Sequence, residues 1–196
     1  MDRGLIKQEA KVALQGNRLM FLLVILVAGA LSSVVPPLAV LVSPIIMMGV
    51  FLVGKHLLKE KEVQFEPIFA YFKDIEHGFK IFVVSLLVNI FVFVGLILFI
   101  VPGIIFALKY SQAAFLMSED KNLDIMEALK KSGEMMDGYK MDLFIFGLSF
   151  IGHFLLGFIT FGIYLLYALP YIVLSYHNYY LNLRVARGYD KKVIDA

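Results

Sequence analysis

The chain has 196 residues, 60% of them hydrophobic, with mean hydropathy +0.82, no Cys, and 18 Lys and Arg against 16 Asp and Glu. Only 17% are charged, where a water-soluble domain carries about 25%, so too few polar side chains exist to coat a water-facing surface and the chain reads as integral to a membrane. The missing Cys excludes disulfides, thiol nucleophiles and Cys-containing zinc or iron–sulfur sites.

A spanning helix needs about 20 mainly apolar residues. Taken in chain order, the runs that qualify are Leu19 to Val35, Leu38 to Gly54 after Pro36-Pro37, Phe79 to Val101, a short Ile104 to Ser118 after Pro102-Gly103, Leu143 to Thr160, and Ile163 to Leu183 after Phe161-Gly162. They are too long for barrel strands. The expected fold is therefore all-α, a polytopic membrane protein of six transmembrane helices arranged as three hairpins in tandem. Leu19 to Val27 with Ala28-Gly29-Ala30 also has the form of a secretory signal and its cleavage site, but the patterned region ahead of it resembles later parts of the chain and favours a retained helix.

Seventeen of the 18 basic residues lie in the N-terminal segment, in the links after spans two and four, and after span six. The other links are short and uncharged. Because basic loops stay on the cytoplasmic side, both termini and both long links are expected in the cytoplasm, leaving three tight turns outside. The location implied is a bacterial cytoplasmic membrane.

A Gly-x-basic triplet precedes spans one, three and five: Gly16-Asn17-Arg18, Gly78-Phe79-Lys80 and Gly138-Tyr139-Lys140, about 60 residues apart. Upstream of each, apolar or small residues recur at one helical face: Ile6, Ala10, Ala13; Ile68, Phe72, Ile75; Ala128, Ser132, Met135. Each unit reads as a cytoplasmic amphipathic helix, a Gly cap, a basic residue at the membrane surface (Arg18, Lys80, Lys140) and a hairpin. This makes one integral membrane domain, 1–196, with repeat units at about 3–58, 63–118 and 123–184. The polar faces of the amphipathic helices suit the headgroup layer, where lysines attract anionic lipid, or a collar under the bundle.

Lys109 is the exception to the charge pattern, placed near the middle of span four, where a cation costs at least about 2.5 to 3.5 kcal/mol. No Asp or Glu lies within any span. The lysine is then neutral, snorkelling to water, or paired with an anionic ligand or partner subunit. Ser85 and Asn89 on span three, Gln112 three residues on, and His153 in span five are the polar groups that could meet it. Lys109, Asn89, Gln112 and His153 form the candidate ligand- or lipid-binding set. Ser149, His153, Gly157 and Thr160 share one face of span five, which also suits helix packing.

Enzyme signatures are absent from the sequence. His56, His77, His153 and His177 show no metal-ligand spacing, the spans hold no paired carboxylates, and there is neither a P-loop nor a dinucleotide fingerprint. Ser149 and His153 alone, one turn apart, make a weak hydrolase pair. No catalytic residue, metal, cofactor or nucleic-acid partner is expected.

The runs Val101-Pro102-Gly103-Ile104-Ile105, Lys109-Tyr110-Ser111, Glu127-Ala128-Leu129-Lys130-Lys131-Ser132, Met136-Asp137-Gly138-Tyr139-Lys140 and Leu148-Ser149-Phe150-Ile151-Gly152, with Leu169-Pro170-Tyr171 and Tyr179-Tyr180, are similar to the bacterial membrane-protein family called domain of unknown function 975. Where such proteins often carry Trp beside the Ile-Gly, this chain has His153. The resemblance implies fold and location, and no activity. The expected function is that of a non-enzymatic accessory, scaffold or envelope-stress factor, acting through anionic lipids, a membrane-protein partner or a second copy, and cytoplasmic-face partners. The alternatives are a transporter, flippase or channel with a cationic cavity at Lys109, and an immunity protein against membrane-active peptides.

Overall fold

A computed structural model describes residues 1–33 and 36–189, with side chains outside residues 33–41. The described residues are helical, joined by turns, and the all-α expectation holds. The elements are α1 (Arg3–Ala13), α2 (Arg18–Ser33), α3 (Pro36–Glu60), a 3-10 turn (Glu66–Phe69), α4 (Ala70–Lys73), α5 (Ile75–Leu98), α6 (Ile100–Tyr110), α7 (Ala113–Glu119), α8 (Ile125–Met135), α9 (Lys140–Leu148), α10 (Ile151–Ile159) and α11 (Ile163–Ala186). Aspartates begin three of them. Asp2 accepts from the Gly4 and Leu5 N–H groups, Asp74 from His77 and Asp124 from Met126, filling donors that a helix start leaves open.

Among the described residues, four stretches are long and apolar enough to cross a membrane: Val42–Glu60, Ile75–Leu98, Ile100–Glu119 and Lys140–Ile159. The pair Arg3–Ala13 and Arg18–Ser32 passes only together, bent by 95°. Expected span one thus corresponds to α2, too short alone, with Val34 and Val35 outside the described residues. Expected span six forms as α11, yet α11 is not among the four. Its second half carries Ser175, His177 and Asn178, all buried inside the protein.

Boundaries shift in several places. Pro36-Pro37 opens α3 instead of making a turn, because the fixed φ of proline suits a first helical turn. Pro102-Gly103 lies inside α6, and the hairpin reverses at Phe99 alone, which is extended at φ −164° and ψ 151°. Two apolar runs are interrupted, at Ser111-Gln112 between α6 and α7 and at Ser149-Phe150 between α9 and α10. The Phe161-Gly162 turn forms as expected, with both residues at positive φ.

The three triplets differ locally. Gly16 and Gly138 adopt φ of +79° and +75° between α1 and α2 and between α8 and α9. Gly78 lies within α5, where a Cβ would meet the Tyr71 carbonyl oxygen at 2.6 Å. The segment before it is the 3-10 turn and the four-residue α4, in place of one long helix.

Two clusters of buried apolar residues hold the helices together. The larger surrounds α11 with residues of α1, α2, α3 and α9, and the smaller joins α5, α7 and α8. Phe115 and Leu116 of α7 pack against both. The α5–α6 hairpin closes through two glycines, since a Cβ on Gly95 would lie 2.8 Å from Gly103 Cα.

Gly95→Ala is expected to destabilise the protein by about 1–3 kcal/mol through overpacking, whereas Gly29→Ala, with nothing within 4 Å of its Cβ position, should not. Thermal unfolding in detergent compares the two. Tyr71, buried and donating its hydroxyl to the Ser118 carbonyl at 2.9 Å, is pushed by that burial from 10.0 up to about 12. A raised phenol pKa means that the folded state holds its proton longer. Its contribution is complete below pH 10.0 and is lost as pH rises through about 12. Tyr71→Phe should flatten the fall of stability over that window.

Candidate functional site

Lys109 lies in the last turn of α6, where the helix dipole favours a cation. The helix stops one residue later, and α8 supplies what the break leaves unsatisfied. The Ser132 hydroxyl, fully buried, donates to the Lys109 carbonyl at 2.9 Å and accepts the Gln112 N–H at 3.2 Å. The lysine stem then crosses α8 at Gly133, where a Cβ would sit 3.0 Å from Lys109 Cε. Its ammonium lies 5.0 Å from the Tyr110 ring centroid.

This packing creates an open groove of about 560 Å³ between α6 and α8, lined by Lys109, Lys130 and Lys140, by Glu134 and Asp137, and by the apolar or aromatic Phe91, Tyr110, Met126 and Leu129. Each carboxylate faces a lysine: Glu134 lies 4.0 Å from Lys130, and Asp137 3.6 Å from Lys140. Among the described residues Lys109 has no carboxylate within ion-pair distance. The groove therefore carries one cation more than its acids neutralise. Its lining is net cationic with an apolar margin.

The other expected members are elsewhere. Asn89 is exposed on α5, donates to the Ser85 carbonyl at 2.9 Å and does not line the groove. Gln112 sits behind it, 3% exposed, donating to Ser111 Oγ at 2.7 Å while its Oε1 is buried without a partner. His153 belongs to a different flank, with Nδ1 3.4 Å from the Tyr164 hydroxyl. Of the membrane-surface trio, Lys140 joins the groove, Arg18 lies 4.0 Å from the Tyr167 ring centroid, and Lys80 pairs with Glu76 at 3.1 Å while donating to the Lys121 carbonyl.

Sequence reasoning missed Glu119. Its carboxylate, 10% exposed, accepts from Lys55 at the end of α3, from the Tyr180 hydroxyl at 2.6 Å, and pairs with Arg184, both on α11. Nearby, Arg187 donates to the Met135 and Asp137 carbonyls, capping the C-terminal end of α8. Lys55 directly follows expected span two, Arg184 and Arg187 follow span six, and Glu119-Asp120 follow span four, so the charges at span ends were the available signal. Glu119→Gln should cost about 1–3 kcal/mol, because it removes a charged hydrogen-bond partner from the half-buried Lys55 and Arg184; chemical unfolding in detergent measures the loss.

A family profile described as protein of unknown function (DUF975) matches residues 90–187. That stretch contains the groove, Glu119 and all of α11. No curated protein and no solved structure matches the chain.

Proposed function

The chain belongs to the DUF975 family, and on that premise we propose a non-enzymatic, multi-span protein of the bacterial cytoplasmic membrane that acts through anionic lipid and through partners at its cytoplasmic face. Both termini and the two long links lie on the cytoplasmic side in this reading, supported by where the basic residues fall. In this reading the three units form one membrane domain, although α1 lies along α11 and a 3-10 turn with the short α4 stands where the second surface helix is expected. The observation that carries the proposal is the un-neutralised Lys109 ammonium in the groove between α6 and α8.

A phosphate-bearing headgroup fits there. It would add the missing negative charge, while acyl chains follow the exposed apolar side chains of α5 and α6, among them Phe91, Ile104 and Ile105. The lining offers amines and paired carboxylates without a nucleophile oriented by a base, which supports binding over reaction. The transport alternative calls for a cavity shared by Lys109, Asn89 and Gln112, and of these only Lys109 lines the groove.

Acidic phospholipid in mixed micelles should raise the midpoint of thermal unfolding by about 5 to 10 °C at a hundredfold excess over Kd. Lys109→Met should remove at least half of that rise. An unchanged rise in the variant would sink the lipid role of the groove.

A further inference from the structure

A second row of cations lies on the opposite flank. Arg3, Lys7 and Lys11 recur every fourth residue and so share one face of α1. That helix is fixed along α11, where Asn178 donates to the Ile6 carbonyl at 2.9 Å and to Glu9 at 2.8 Å, and Ile6, Ala10 and Ala13 are buried. Arg3 meets Asp142 of α9 at 3.5 Å. Lys7 donates to Ser149, and its ammonium lies 4.1 Å from the Phe150 ring centroid. Lys11 lies 5.3 Å from the Tyr171 centroid, and Arg18 stacks on Tyr167 one turn nearer the start of α11.

The row therefore climbs alongside the apolar stretch Lys140–Ile159, from its first turn at Asp142 to its middle at Ser149, about 10 Å at 1.5 Å per residue. Among the described residues, Lys7, Lys11 and Arg18 have no carboxylate within ion-pair distance. Nη1 of Arg3 and Nη1 of Arg18 are buried without a hydrogen-bond partner. Ring contacts recover only part of the cost of holding cations beside an apolar surface.

We propose that this flank binds a phosphate ester anion through Lys7, Lys11, Arg18 and His153, its source the headgroup of an acidic membrane lipid. The Tyr164 hydroxyl and His153 Nδ1 lie 3.4 Å apart, and in the tautomer whose Nδ1 accepts from that hydroxyl the Nε2 proton is available to the phosphate. Tyr171, 5.6 Å from the His153 ring, joins the lysine row to the histidine. The proposal rests on different residues and a different flank from the Lys109 groove.

The test is native mass spectrometry of the whole protein released from nanodiscs of phosphatidylcholine, with and without phosphatidylglycerol. Wild type should retain phosphatidylglycerol selectively, and Lys109→Met should leave retention at this flank intact. In the Lys109→Met background, which removes the contribution of the groove, Lys7→Met with Lys11→Met should bind about thirtyfold more weakly, and Lys11→Met alone about fivefold. The corresponding arginine substitutions should restore binding. The single variant keeps the test decisive if the double variant does not fold, because the Lys11 side chain is exposed. Undiminished binding by a folded methionine variant, or equal retention of phosphatidylcholine, would overturn the proposal. Inorganic phosphate is added as a separate probe, and a phosphate adduct that displaces the lipid assigns the same site to a soluble phosphate source.

Discussion

One carboxylate gathers the ends of three helices. Glu119 closes α7 and holds Lys55 of α3 with Tyr180 and Arg184 of α11. Those contacts place the C-terminal ends of the three helices together, and with them the links that carry most of the positive charge. A lone carboxylate at this burial would be costly, and so would the cations around it; their mutual neutralisation makes the arrangement stable only as a set. Once α11 is fixed, Arg187 reaches the end of α8 and α1 finds a face along which to lie.

Apolar runs were legible in the sequence because length and composition suffice for them. The interruptions were not. At Ser111-Gln112 and Ser149-Phe150 the surroundings remain apolar; Ser132 of α8, distant in sequence, takes up the Gln112 N–H at the first break, and at the second the chain closes on local bonds such as Phe150 N–H to the Gly147 carbonyl. Prolines misled for a local reason, since Pro36 and Pro102 occupy first turns, where a missing N–H costs nothing. The polar half of α11 lowers its hydropathy because its Ser175, His177 and Asn178 face protein instead of lipid.

The candidate site was half legible. Lys109 stood out because a cation inside an apolar run is expensive, yet nothing in the spacing announced that Lys130 and Lys140 would share its groove. Asn89, Gln112 and His153 were grouped by polarity and depth, which ignores direction around the helix. Asn89, exposed, bonds back to the Ser85 carbonyl of its own helix and Gln112, buried, to the neighbouring Ser111 hydroxyl, the usual way an apolar protein disposes of isolated polar side chains. Charge counting by link found the cations of the Glu119 cluster but not their convergence, because partners 61 or more residues apart leave no periodic trace.

The α5–α6 hairpin reverses through Phe99 alone and closes on Gly95 and Gly103. Such a connection has no slack. Neither helix can settle in a bilayer and wait for the other to find it, since a one-residue link fixes their separation and facing from the moment both exist. During synthesis the two must leave the insertion machinery as a paired unit, already in contact, and the order in which the chain is made becomes part of how its topology is set.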